Sequence, residues 1–259
     1  MAKLSIANKT VDNIDAIILD KDGTIIDFDK MWQKIIAKRA EVIAQEVAKE
    51  HSMGETEIRQ LKTKLVYNMG IDPLSGKVEP RGPVAIATRA EVMACAGSCL
   101  YNNGINWDVA RKIVDFAFTH VDKTIDLASL VYPVPELKET FIKWQNAGIK
   151  IFLASTDNVE KIGIAVDTLN LSGYLSGTIG GNEVTKSKPE PEMILTLAAK
   201  AGIDVSRTVM IGDAVTDVMM GNNAKCAASV GVLTGVTSEA ALSEHTEYVV
   251  ASIADIHVV

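Results

Sequence analysis

The segment that most constrains this chain is Ala16-Ile17-Ile18-Leu19-Asp20-Lys21-Asp22-Gly23-Thr24. Four consecutive apolar residues suffice for one buried strand and are too few for a helix. The run stops at two acids spaced i, i+2, followed by a glycine. That spacing puts both carboxylates on one face of a strand, and the glycine lets the backbone turn away at once. In a parallel α/β sheet, ligands bind beyond the carboxyl ends of the strands, so acids placed there sit where chemistry is done. Carboxylates held that close repel unless a cation or a proton lies between them. A polar strand end leading into an Asp-Gly turn accounts for the same residues, and on this segment alone the two readings carry similar weight.

The rest of the chain alternates differently in two regions. From Phe28 the apolar residues Trp32, Ile35, Ile36, Val42, Ile43 and Val47 recur at helical spacing, which predicts a helix over about 30–50. Further helices are predicted over 57–69, from an N-cap at Thr88 with Glu91 closing a capping box, and over 107–120. The stretch 71–83, rich in Pro and Gly, reads as a loop. Pro135 suits the first turn of a helix running to Asn146. After it, strands at 149–154, 208–211, 226–230 and 248–250 alternate with helices at 159–169, 191–201 and 215–223, with a short strand or loop at 173–179. Residues 1–13 are ambiguous, an edge strand or a lead-in. This pattern predicts an α/β fold: a Rossmann-like parallel sheet core, residues 1–27 and 132–259, with an inserted all-helical domain, residues 28–131.

Three more polar clusters fall at or beside strand ends. Ser155 and Thr156 follow the strand at 149–154, where a hydroxyl and a free backbone amide can hold an anionic oxygen; Ser-Thr-Asp is also an ordinary N-cap sequence. Lys188 precedes Pro189 and a helix start, and is more rigidly placed than Lys186, although a solvated loop lysine is the bland alternative. Gly212-Asp213-Ala214-Val215-Thr216-Asp217 repeats the logic of the opening segment, with an N-cap role for Asp213 and a helix-dipole role for Asp217 as the plainer readings.

Taken together these clusters outweigh their separate plain explanations. Two unit charges about 4 Å apart repel by roughly 4 kcal/mol at an effective dielectric of 20. Carboxylates of Asp20, Asp22 and Asp213 at one rim therefore call for a hard divalent cation, Mg²⁺ before Zn²⁺, because no His or Cys lies near in sequence. A hydroxyl, an amide and a lysine opposite them describe an anion pocket. Metal, anion pocket and carboxylate nucleophile together are the constellation for phosphoryl transfer. The formal charge of −7 argues against nucleic acid as a partner. Three cysteines without a disulfide framework, no signal-peptide core and no long uncharged apolar run point to a cytoplasmic protein that does not engage a membrane.

In these four motifs the chain resembles the haloacid dehalogenase superfamily of hydrolases. The likeness is greatest over 148–235, where Ser-Lys-Pro-Glu-Pro and Ile-Gly-Asp-x-x-x-Asp resemble the branch containing phosphoglycolate phosphatase and β-phosphoglucomutase. The resemblance implies that Asp20 is the nucleophile, forming an aspartyl-phosphate, and that Asp22 is the general acid and then the base. Mg²⁺ would be held by Asp20, the backbone carbonyl of Asp22, and Asp213, with Asp217 supporting the metal site. Gly23, Ser155, Thr156 and Lys188 would bind the phosphoryl group, Lys188 also restraining Asp20. Dehalogenases of this fold lack an acid at the position of Asp22, so its presence implies phosphate chemistry.

The expected activity is thus hydrolysis of a small phosphomonoester, phosphoglycolate-like or a sugar phosphate, with a small phosphorylated metabolite as partner and a monomer or homodimer as assembly. A phosphomutase of the β-phosphoglucomutase kind and a catalytically silent phosphate-binding regulator are the alternatives. Lys21 stands where the family usually has a small or apolar residue. It is expected to point away from the metal and leave the chemistry unchanged. The insertion is longer than the usual four-helix cap of that branch. Trp32, Arg81 and Arg89 are its candidates for substrate contact, although core and surface roles account for them better. The four histidines show no ligand spacing and read as surface residues.

Overall fold

The computed structural model describes residues 2–51 and 53–259. Met1, the first residue of the ambiguous leading segment, and Ser52 lie outside the described residues. The chain opens with β1 (Ala2–Ile6), β2 (Lys9–Ile14) and β3 (Ala16–Leu19). Helices α1 (Phe28–Glu50), α2 (Glu55–Asn68), α3 (Pro83–Ile86), α4 (Arg89–Asn102) and α5 (Trp107–Thr124) follow. The chain then alternates: α6 (Leu137–Asn146), β4 (Lys150–Ser155), α7 (Val159–Thr168), β5 (Gly177–Gly180), α8 (Glu192–Ala201), β6 (Thr208–Gly212), α9 (Val215–Ala224), β7 (Ala228–Val232), α10 (Glu239–Ser243), β8 (Tyr248–Val250) and β9 (His257–Val258). It divides into two compact units, one made of the residues up to Phe28 together with Val131–Val259, the other of Asp29–Leu130.

In the first unit a six-stranded parallel sheet has the order β5-β4-β3-β6-β7-β8. All four residues of β3 are fully buried, as expected for a strand covered on both faces. On one of those faces Ala16 and Ile18 pack with Phe152, Ala154, Ile179, Met193, Leu197 and Met210 in one apolar cluster. The chain leaves β3 toward β4 on one side and β6 on the other, so the end of β3 is the switch point where an open α/β sheet leaves a crevice.

Register places the site. Leu19 is level with Leu153 of β4 and with Ile211 of β6. Ser155 and Asp213 each lie two residues farther along, and Asp20 one residue past Leu19. The Asp20 amide donates to the Ile211 carbonyl (2.9 Å), which extends the β3–β6 pairing up to the nucleophile candidate.

The second unit is helical. On α1 the buried residues Ile36, Ala40, Ile43, Ala44 and Val47 form one stripe at the spacing of a core-facing helix face. Helix α4 starts as the sequence indicates: Thr88 accepts from the Glu91 amide, and the Glu91 carboxylate accepts from the Thr88 amide (2.7 Å). No helix among the described residues is long and apolar enough to cross a membrane.

Two expectations change. Pro135 lies outside its helix, because Glu136 takes a left-handed conformation (φ 56°) as the cap of α6 and the helix starts only at Leu137. The ambiguous leading segment is an antiparallel hairpin, β1 with β2, and β9 pairs on the other edge of β1 to make a separate three-stranded sheet. Its alternation was readable, since Leu4 and Ile6 point inward and are fully buried. The turn at Ala7-Asn8 adopts positive φ at both residues without a glycine, so the sequence carried little turn signal there.

Candidate active site

The end of β3 carries Asp20, and the turn after β6 carries Asp213 and then Asp217 in the first turn of α9. Oxygens of these three buried carboxylates lie within 4.8 Å of one another. Lys188, whose side chain is 5% exposed, reaches Asp20 Oδ1 at 2.5 Å and Asp217 Oδ1 at 2.8 Å. Of the two lysines before α8, only Lys188 enters the carboxylate group; Lys186 is exposed. Asp213 is not the cap of α9, a position taken by Ala214. Asp217 is a first-turn acid as well as a site residue, accepting from the Ala214 amide through Oδ2 (3.1 Å).

The backbone makes room for Asp213. A Cβ on Gly23 (φ +82°) would fall 2.5 Å from Asp213 Cγ, and one on Gly235 would fall 1.8 Å from Asp213 Oδ2. The Thr234 hydroxyl donates to the Gly23 carbonyl (2.5 Å), tying the loop after β7 to the turn after β3. Gly235 and Thr234 were missed in the sequence because they belong to no motif there; only packing reveals them.

The electrostatics follow from burial. Burial raises Asp213 well above the usual carboxylate range, and the charges of Asp20 and Asp217 push it the same way against Lys188. Burial likewise lifts Asp217 to about 6, with Lys188 opposing and Asp20 adding to the shift. Burial works to lower the Lys188 ammonium, but Asp20 and Asp217 outweigh it and hold the group above its ordinary value. Three carboxylates facing one ammonium form a donor set of hard oxygens with excess negative charge, which fits a divalent cation such as Mg²⁺.

Ser155 is buried at the end of β4, and its hydroxyl accepts from the Asp157 amide (3.2 Å). Thr156 is exposed beside it. Asp22 is set apart from the three clustered carboxylates. Its oxygens lie 2.5 and 2.6 Å from the ammonium of Lys21. Burial raises the Asp22 carboxyl, Lys21 works against that rise, and Asp20 adds to it. In the helical unit, Arg89 is engaged by Asp122 (2.8 Å), Arg81 is exposed and Trp32 is half-buried.

The chain matches the haloacid dehalogenase-like hydrolase family over residues 14–225, which takes in the ends of β3, β4 and β6. The chain belongs to this family. Among curated relatives, the phosphoglycolate phosphatase of Yersinia pestis is 28% identical over 147 residues, covering 56% of this chain and 61% of that protein. The phosphoglycolate phosphatase of Agrobacterium fabrum is 32% identical over 106 residues, 40% of this chain and 45% of that protein. Pyrophosphatase PpaX of Bacillus velezensis is 25% identical, with 52% and 63% covered. The chain thus spans about half to three-fifths of the length of these relatives. Among solved structures, a HAD family hydrolase from Deinococcus radiodurans with bound phosphate and sodium shares the fold at a TM-score of 0.60 and 18% identity, covering 94% of this chain and 93% of that one. A hydrolase from Pseudomonas syringae does so at 0.56 and 18%, covering 93% and 95%.

Proposed function

We propose that this HAD-family hydrolase is a Mg²⁺-dependent phosphatase that cleaves a small phosphomonoester through an aspartyl-phosphate on Asp20. The observation that carries the reading is the group at the switch point: Asp20, Asp213 and Asp217 within 4.8 Å, with Lys188 on Asp20 and Asp217. Mg²⁺ would be held by Asp20, Asp213 and the Asp22 carbonyl, with Asp217 behind them, and would neutralise phosphoryl charge. A phosphoglycolate-like ester or a sugar phosphate is the substrate class we favour, supported by the names of the relatives. The helical unit serves as the cap that sets specificity, and the cytoplasm is the compartment.

The residues divide the work in two steps. A carboxylate oxygen of Asp20 attacks phosphorus, and the ester P–O bond breaks as Asp22 gives its proton to the departing oxygen. Water then attacks the phosphorus, Asp22 takes the water's proton, and the Asp20–phosphorus bond breaks to release inorganic phosphate. Lys188 holds Asp20 in line and offsets charge on the phosphoryl oxygens; Ser155, the Thr156 amide and the turn at Gly23 hold those oxygens. The sum is ester plus water giving alcohol plus phosphate.

The test is release of phosphate from p-nitrophenyl phosphate. We expect release with Mg²⁺ and none after EDTA. Tight phosphate binding without any release would overturn the reading in favour of a silent regulator. Isomerised product without free phosphate, in the presence of a sugar bisphosphate, would overturn it in favour of a mutase.

Metal binding also has a pH signature. The folded-state values of Asp213 and Asp217 lie above those of an unfolded chain, so their contribution to stability is full below about pH 4. It is lost as pH rises through about 6 for Asp217, and likewise as pH rises through the raised value of Asp213. The metal-free protein is therefore expected to melt lower at pH 7.5 than at pH 5 in this respect. Mg²⁺ competes with those protons, so its addition should raise Tm by at least about 3 °C more at pH 7.5 than at pH 5. Equal shifts at both values, read by calorimetry, would contradict the assignment.

A further inference from the structure

Lys21 is one of the few charged residues in the first unit that is almost wholly buried, with its side chain 6% exposed. Lysine is rarely buried unless paired, and here the pairing is specific. Its ammonium lies 2.5 and 2.6 Å from the two oxygens of Asp22 and 3.1 Å from Asp157 Oδ2. Asp157 stands two residues past Ser155, at the end of β4, and its other oxygen pairs with Lys161 one turn into α7 (3.1 Å). Two strand ends are thus joined through one ammonium. Lys21 was expected to point away from the metal and leave the chemistry unchanged; its ammonium is paired with Asp22 and Asp157, while Lys188 pairs with Asp20 and Asp217.

Stability is a weak account of this arrangement. Replacing a buried ion pair by well-packed apolar side chains is often neutral or stabilising. An apolar residue between the two acids would offer Asp22 no charged partner at that position. A carboxyl that must meet one oxygen of a bound ester needs a fixed location, since misplacement by about 1 Å can cost a factor of 10² in rate.

We propose that Lys21 and Asp157 form a clamp that fixes where the Asp22 carboxyl stands, making Lys21 a positioning residue for proton delivery to the leaving oxygen. The proposal rests on the reading of Asp22 as general acid. The bonds made and broken are those already given; the clamp sets only the place from which the proton leaves Asp22.

Two esters of nearly the same shape test it. The p-nitrophenolate of p-nitrophenyl phosphate departs readily without a proton, whereas the phenolate of phenyl phosphate is a much poorer leaving group and depends on the acid. In Lys21→Met, kcat/KM for phenyl phosphate should fall about tenfold more than kcat/KM for p-nitrophenyl phosphate. Lys21→Arg should recover a large part of that difference, and Asp157→Asn should show the same selectivity in smaller degree. A structural role for Lys21 would lower both esters alike, and that result overturns the clamp. If Lys21→Met does not fold by circular dichroism, Asp157→Asn decides: loss confined to phenyl phosphate supports the clamp and equal loss rejects it. Asp22→Asn separates the clamp from its foundation. If that variant does not discriminate between the esters, the general-acid reading itself is wrong; if it discriminates while both clamp variants do not, only the clamp fails.

Discussion

Asp20→Asn is expected to lose phosphate release by at least about 10⁴-fold while keeping its fold. In the proposed reaction Asp20 is the nucleophile, the one group for which the site has no substitute. Asp213 and Asp217 lie within 4.8 Å of it, but they stand at the end of β6 and on α9, while the amide of Asp20 is fixed to Ile211 by the sheet. The substitution also separates chemistry from stability. The charge of Asp20 raises both Asp213 and Asp217, so the amide relieves repulsion as it removes one partner of Lys188, which keeps Asp217. The two effects oppose, and Tm without metal should stay within about 4 °C of the parent, roughly 1 kcal/mol. Acid quenching of the parent during turnover should leave phosphate bound to the peptide that contains Asp20, and none in the variant. Hydrolysis of p-nitrophenyl phosphate by Asp20→Asn at the parent's rate would sink the assignment.

Much of this site is written in the chain locally. A four-residue apolar run such as Ala16–Leu19 is too short for a helix and suits a strand buried on both faces, and acids at its end are placed by the sheet, not by side-chain packing. Parallel register then carries the argument from segment to segment: once β3 lies between β4 and β6, Ser155 and Asp213 must arrive beside Asp20. What could not be read is what depends on packing across loops. Gly235 and Thr234 act on Asp213 and Gly23 from a loop with no motif of its own. Ser155-Thr156-Asp157 reads as an ordinary N-cap sequence, yet the cap of α7 is Asn158, which accepts from the Lys161 amide, leaving Asp157 for Lys21. Lys21 itself was visible as an oddity, but its direction was not, because a flexible side chain beside two acids has several ways to pair. The same limit holds for the helical unit. Its longer helices, α1, α2, α4 and α5, follow from apolar spacing and capping, whereas the short α3 was not foreseen, and Arg39, which pairs with Asp122 while stacked over Phe118 (4.1 Å), gave no sign of burial in the sequence.

Lys188→Met should produce the largest loss of stability among these variants, and the loss should depend on pH. Methionine keeps most of the apolar stem, so the change removes charge and little packing. Three buried carboxylates then face one another without an ammonium. Breaking a buried ion pair in this way costs about 3–5 kcal/mol, on the order of 10 °C in Tm at pH 7.5 without metal. The lysine's own titration cannot supply the pH dependence. Its folded value lies above the ordinary lysine range, so its stabilisation is complete below that range and disappears only as pH rises past it. The dependence comes from the carboxyls. Lys188 is the strongest influence lowering Asp213 and Asp217 against burial; without it both rise further, and the folded protein binds their protons more tightly than the unfolded chain. The deficit should therefore shrink as pH falls from 7.5 to 5 and narrow again at pH 7.5 when Mg²⁺ is added. Activity should drop by about 10²–10³-fold even with saturating metal, since the charge that the proposed reaction sets against the phosphoryl oxygens is gone. A Tm deficit equal at both pH values and indifferent to Mg²⁺ would mean that Lys188 contributes packing alone, and that the three carboxylates do not share their charge with it.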